Sequence, residues 1–199
     1  MANPFAVHSV GTSLVTYLRD TYPAALRPNS GYPPCDFKLF SSGELSGDVS
    51  NLLTTLSLYL YRVKINEHRR NSNRLDRPAD GPTPLWVDLH YLMTVWADNA
   101  LAEHTVMTWA MRQLHLRPTL DVSSLSPEFG WTPSDTVQVK DAELSDEDMM
   151  RIWDALGPSY RLTVGYIARV VCVEDDEPFE GVSPVVATRF DIEDWGPGR

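Results

Sequence analysis

Cysteine is scarce in this chain: its 199 residues include only Cys35 and Cys172. Two distant thiols make no disulfide framework, so synthesis in the cytosol is expected, with Cys172, inside an apolar run, as a small core residue. Long hydrophobic runs are also missing. No stretch reaches the roughly 18 consecutive apolar residues of a membrane helix. The opening MANPFAVHSV has neither a basic leader nor a cleavable apolar core. Direct membrane insertion is therefore not expected. Positive charge is in deficit, with 17 Lys and Arg against 27 Asp and Glu and a formal net charge of -10. Such a field repels a phosphate backbone, which argues against nucleic acid as a partner. It disfavours anionic lipid for the same reason.

The signatures of catalysis and cofactors are missing as well. The five histidines, His8, His68, His90, His104 and His115, have no metal-ligand spacing. His104 reads as a buried or half-buried helix residue. There is no phosphate-binding glycine loop, no dinucleotide fingerprint and no nucleophile elbow. The stretch Ser41–Gly47 carries Glu44 and no lysine, and reads as a turn or flexible loop. The expectation is no enzyme, no metal and no cofactor. One constellation supports a different class: Trp86, Asp88 and His90 alternate on one strand face, and an Asp/His pair is able to do acid–base work in an enzyme or small-ligand binder. No nucleophile lies near it in sequence. The aromatics Tyr59, Tyr61, Trp86 and Tyr91 read as core and strand-face residues rather than a stacking platform.

What is present is an ordinary apolar fraction, 43 %, with 22 % charged residues, expected to form one soluble mixed α+β domain over 1–199. Val7, Val10, Leu14, Tyr17 and Leu18 recur at helical spacing and predict a helix over 5–19. Residues 36–40 read as a short strand. Residues 56–65 read as an inner strand with both faces partly covered. A long polar loop follows over 66–84, then an alternating strand over 85–91. Asp98 or Asn99 caps a helix running to Leu114, whose apolar face is Ala102, Val106, Met107, Trp109, Ala110, Met111 and Leu114. A short strand is expected at 136–139. Ser145 caps a helix with Asp146, Glu147 and Asp148 in its first turn and a buried stripe of Met149, Ile152, Trp153 and Leu156. Gly157-Pro158 stops it. Tyr160 to Val173 is the longest strand, with Leu162, Val164, Tyr166, Ala168, Val170 and Cys172 on one face and Arg161, Thr163, Ile167, Arg169 and Val171 on the other. Val185 to Phe190 is a last strand-like run, and 183–199 reads as a C-terminal arm.

Charge is segregated. Lys64, Arg69, Arg70, Arg74 and Arg77 crowd one loop, while acidic blocks occupy 141–148, including Asp146 and Glu147, and 174–180, including Glu174 and Asp175. The loop is either merely solvated or one half of a head-to-tail contact with a neighbour's acidic edge, of the kind that closes into rings. Val185 to Phe190 is either an edge strand of its own sheet or a strand added to a neighbour or partner.

Asn66, then Asn71 to Arg74, then Pro84-Leu85-Trp86-Val87-Asp88-Leu89-His90-Tyr91-Leu92-Met93-Thr94 carry a family resemblance. Glu103-His104, Leu114 with Pro118, Leu144-Ser145-x-Glu147-Asp148, Trp153-x-Ala155-Leu156 and Tyr160-Arg161-Leu162-Thr163-x-x-Tyr166-x-x-Arg169 follow in order. This ordered set resembles the Pvc16 N-terminal domain family, also called DUF4255. The family is similar to tail-terminator or cap proteins of extracellular contractile injection systems such as antifeeding prophages. The resemblance implies a hexameric ring of this chain at the particle end distal to the baseplate. That ring sits on the last layers of inner tube protein and sheath protein and halts their growth; the alternative is an adaptor or anchor at the particle end that does not cap. Assembly in the cytoplasm, in a particle then released or retained, goes with it. Some relatives carry a long C-terminal extension, whereas here about 25 residues follow the last strong strand.

Overall fold

In the computed structural model, residues 5–27, 30–47, 49, 52–66, 85–125, 131–133 and 135–173 are described. The elements are α1 (Ala6–Thr21), α2 (Pro23–Leu26), β1 (Asp36–Phe40), α3 (Ser42–Leu45), β2 (Thr55–Ile65), β3 (Leu85–Trp96), α4 (Ala100–Leu116), β4 (Thr119–Leu120), β5 (Val137–Asp141), α5 (Asp146–Leu156) and β6 (Thr163–Val173). The strands form one mixed sheet in the order β1-β2-β3-β6-β5-β4. Only β1 and β2 run parallel; the other pairs are antiparallel. The fold is mixed α and β, as expected.

One face of the sheet carries the main core. Ala6, Val10, Leu14 and Leu18 of α1 and Ala102, Val106, Trp109 and Ala110 of α4 pack there against Leu56, Leu58, Val87, Leu89, Tyr91, Met93 and Val95. The four α1 residues fall at i, i+4, i+8 and i+12, one stripe of a helix. Tyr22 fastens α1 to α4: its ring meets Phe37 at 5.2 Å and Trp109 at 4.8 Å, both edge-on, and its hydroxyl donates to the Pro33 carbonyl at 2.7 Å. Such pairs add about 1 kcal/mol each beyond area burial. Gly11 lets α1 come close, since a Cβ there would lie 2.9 Å from Leu39 Cδ1. α4 begins where expected: the Asn99 side chain accepts from the Ala102 amide at 2.9 Å. Its face is narrower than expected, because Met111 is exposed. His104 is exposed as well, not half-buried.

Among the described residues the opposite face is covered at one end. There Leu45, Trp96 and Trp153 form a second cluster with Phe40, Tyr59, Met149 and Leu156 around it. α5 therefore lies on this face, held chiefly by Trp153. Met149, Ile152 and Leu156 are half-buried rather than the fully buried stripe expected. Ser145 caps α5 as expected, accepting from the Asp148 amide at 3.1 Å. The Ser41–Gly47 stretch is not a flexible loop. Ser41 and Glu44 form a reciprocal capping box around α3, and Leu45 is buried.

Two bulges revise the strand faces. In β2 the register slips between Leu60 and Arg62, leaving Tyr61 without an opposite residue. In β6 two residues face Asp88, so Ala168 pairs Leu89 while Val171 pairs Val87. An extra residue turns the later side chains over. Val171, expected on the outer face, is thus buried in the core with Ala168, and Cys172 lies half-buried opposite Trp86 instead of in the core. β2 is not covered along its whole length either. On the edge away from β3, among the described residues, only Asp36–Phe40 pairs with it, against Thr55–Tyr59, and Arg62 to Ile65 are exposed.

Candidate functional site

The quoted sequence motif turns out to be a set of structural clasps. The Asn66 amide donates to both carboxylate oxygens of Asp88, at 3.1 and 3.2 Å. Arg169 of β6 stands 3.7 Å from the same carboxylate. Thr94 and Thr163 share a hydrogen bond at 3.0 Å across β3 and β6. The Trp96 indole donates to Ser57 at 2.8 Å, and Glu103 accepts from the Leu162 amide at 3.4 Å. Motif residues far apart in the chain thus fasten the same strands together. Burial makes these bonds matter, because a buried polar group left without a partner costs about 1–3 kcal/mol.

This arrangement answers the acid–base alternative. Trp86, Asp88 and His90 do share a face, opposite Val87 and Leu89 of the core. Asp88, however, is committed to Asn66 and Arg169 and is buried. The His90 ring meets Tyr61 edge-on at 5.9 Å. Burial, and after it the neighbouring Arg62, pushes the His90 pKa down; Asp88 opposes, and Lys64 and Arg169 push further down. Two grooves among the described residues lie elsewhere. One of about 550 Å³ sits beside Val7, His8, Leu39, Tyr59 and Leu60, and one of about 390 Å³ beside Trp96, Gly157 and Arg161. Among the described residues no three His, Cys, Asp or Glu are grouped so as to hold a metal ion. Burial pushes the Cys35 thiol up to about 12, far from a reactive thiolate.

Among the described residues the remaining part of this face is polar, uncovered and rich in positive charge. Two cross-strand rows compose it: Arg62, His90, Ile167 and Lys140 in one, Lys64, Asp88, Arg169 and Gln138 in the other. Arg62, Lys64, Lys140 and Gln138 are exposed. Of the candidate interface residues, Lys64 belongs here. Asp146 and Glu147 are exposed at the start of α5, with Glu147 paired to Arg151 one turn on. Both partners are about three-quarters exposed, and such a pair contributes well under about 1 kcal/mol. The structure brings this acidic turn and the basic rows to one side of the sheet: burial raises the Tyr61 pKa, Arg62 lowers it and Asp148 raises it. Arg69, Arg70, Arg74, Arg77, Glu174, Asp175, Val185 and Phe190 lie outside the described residues. Arg62, Lys140 and Arg169 were missed as a group. Lys140 and Arg169 are far from Arg62 and Lys64 in sequence, and only the strand register assembles them.

The profile of the Pvc16 N-terminal domain family matches residues 9–187. No curated protein matches the chain. Among solved structures, the chain is similar to the sheath/tube terminator, in the extended state, of the PVC extracellular contractile injection system, with TM-score 0.57 and 17 % identity over 96 % of this chain and 65 % of that one. It is also similar to the tube-terminating cap of the anti-feeding prophage, with TM-score 0.51 and 16 % identity over 93 % of this chain and 59 % of that one. At these identities the likeness is one of fold. The chain spans less than two thirds of the length of either structure. Among the described residues no helix is long and apolar enough to cross a membrane.

Proposed function

This chain belongs to the Pvc16 N-terminal domain family, and from that premise we propose that it is a non-catalytic building block at the end of a contractile, phage-tail-like particle, where it stops the growth of tube and sheath. The observation that carries this reading is the conjunction of the family match with a fold shared, over nearly the whole chain, with a sheath/tube terminator and a tube-terminating cap. Tube and sheath are open head-to-tail polymers, which grow while their exposed end presents the next docking surface. A cap ends growth by offering one competent face and one dead face. It needs shape, area and charge fit, and no reaction.

The architecture suits such a part. Clasped strands and a core sealed by α1 and α4 make a rigid platform. The half-covered face supplies a polar, charged surface of the kind found at interface rims. In this reading copies of the chain close into a ring, six in number by the family's precedent, and contact inner tube protein and sheath protein. The basic segment with Arg69, Arg70, Arg74 and Arg77 and the run from Val185 to Phe190 belong to those contacts.

Imaging of particle ends tests it. Density for this chain at the end distal to the baseplate, in contact with the last tube and sheath layers, is the expected result. Particles of unchanged length that fall from their attachment when the chain is deleted would make it an anchor instead.

A further inference from the structure

We propose that the open sheet face bearing Arg62, Lys64, Lys140 and Arg169 docks the acidic segment Glu174–Glu180 of a second copy of this chain. The inference rests on the ring reading and specifies which surfaces close it.

The first support is the sign of the face. In a chain of net charge -10, the two cross-strand rows carry four cations and a single carboxylate, Asp88. Asp88 is buried and already held by Asn66, so it does little to repel an incoming acid. Burial lowers the His90 pKa first, and Arg62, Lys64 and Arg169 add to that shift against the opposing Asp88. The facing groups from other elements are Tyr61 and, beside it, Asp148 at the start of α5. They flank one edge and leave Lys64 and Lys140 clear, while Arg169 stands 3.7 Å from the Asp88 carboxylate.

The second support is size. Four strands at about 4.8 Å spacing put the outer cations about 14 Å apart. An extended run of four residues reaches about the same distance. Glu174, Asp175, Asp176 and Glu177 are four carboxylates in succession, Glu180 adds a fifth, and no basic residue occurs between Glu174 and Glu180.

The third support is direction. β6 runs along the face and ends at Val173, opposite Leu85 at the rim. Glu174 is bonded to Val173, so the acidic segment begins at the rim of the face and not at its middle. One end of each copy then meets a different surface of the next, the head-to-tail geometry that closes into a ring.

The test uses the whole protein. Light and isotopically heavy chains are mixed, allowed to assemble and linked with a carbodiimide, which joins amines to carboxylates in direct contact. Links from Lys64 or Lys140 to Glu174–Glu180 that pair a light with a heavy peptide are expected. Separately, Glu174→Lys, Asp175→Lys, Asp176→Lys and Glu177→Lys combined leave the sheet untouched and should weaken self-association by about tenfold or more at low salt. Adding Arg62→Glu, Lys64→Glu and Lys140→Glu to the same chain should restore it. Links confined to one isotope, which would mean the chain folds onto its own face, overturn the proposal. So does the absence of these links, or association indifferent to the charge changes. A protein that caps tails yet ignores these charges sinks this inference alone. A protein with the expected links that ignores tube and sheath sinks the capping reading alone.

Discussion

The hydroxyls of Thr94 and Thr163 meet at 3.0 Å although 69 positions separate them in the chain. The Thr163 hydroxyl also donates to the Arg161 carbonyl at 2.9 Å. It has one proton, so Thr94 must be the donor in the shared bond. The two threonines are therefore unequal. Thr163→Val strands both the Thr94 donor and the Arg161 carbonyl, whereas Thr94→Val removes one donor from an oxygen with another bond. Thr163→Val should cost about 2 kcal/mol and Thr94→Val about 1 kcal/mol. The double variant should cost less than the sum. Denaturant unfolding of the three variants measures this cycle.

The Asp88 carboxylate is the second clasp. Asp88→Ala leaves the Asn66 amide and the Arg169 guanidinium without their partner on a buried strand. A loss of about 2–3 kcal/mol is expected, since bonds to a charged group are the stronger kind. Asp88→Asn should cost less, because an amide still offers Asn66 an acceptor. If unfolding midpoints show the two variants alike and near neutral, the clasp contributes nothing.

Much of the helical part of the fold was legible in the sequence, and the reason is local. The capping bonds of Asn99 and Ser145 involve residues three positions on. The stripes of α1 and α4 repeat within a few turns. β3 was read only to Tyr91 because alternation stops there. From Tyr91 to Trp96 every residue is buried, on both faces of the sheet, and a strand covered on both sides has no period of two. The bulges at Tyr61 and beside Asp88 were invisible for the opposite reason, since each depends on how two strands meet. They turned Val171 inward and Cys172 outward. The basic face was hidden likewise. Lys64 stood out within a charged run, but Arg62, Lys140 and Arg169 come together only through the registers of three strand pairs.

His90 reports on that face. Its pKa is held below the usual histidine value by burial and by Arg62, with Lys64 and Arg169 adding to it. The folded chain then binds fewer protons at this site than the unfolded chain. Its contribution to stability is present above about pH 6.5, the unfolded value, and is lost as pH falls through the folded value. Arg62→Gln with Lys64→Gln should raise the pKa towards the ordinary value. An NMR titration of the ring protons measures it, and an unchanged or lower value would mean that the cations do not act on His90.

Trp153 is the chief anchor of α5. It is 4 % exposed, and its ring lies 6.0 Å from Trp96 and 5.7 Å from Tyr160. Trp153→Ala should destabilise the chain by about 3–5 kcal/mol, or release α5 with a smaller global loss. Hydrogen exchange tells the outcomes apart, since release deprotects Met149–Leu156 while β3 stays protected. Protection of α5 equal to that of the unaltered chain would show that Trp153 does not anchor it.

Tail length bears most directly on the central claim. Tube and sheath assembled with this chain should give particles of one narrow length, and assembly without it should give over-long or ragged tails that shorten again when the purified protein is added. Tails of the same narrow length with and without the chain would contradict termination outright.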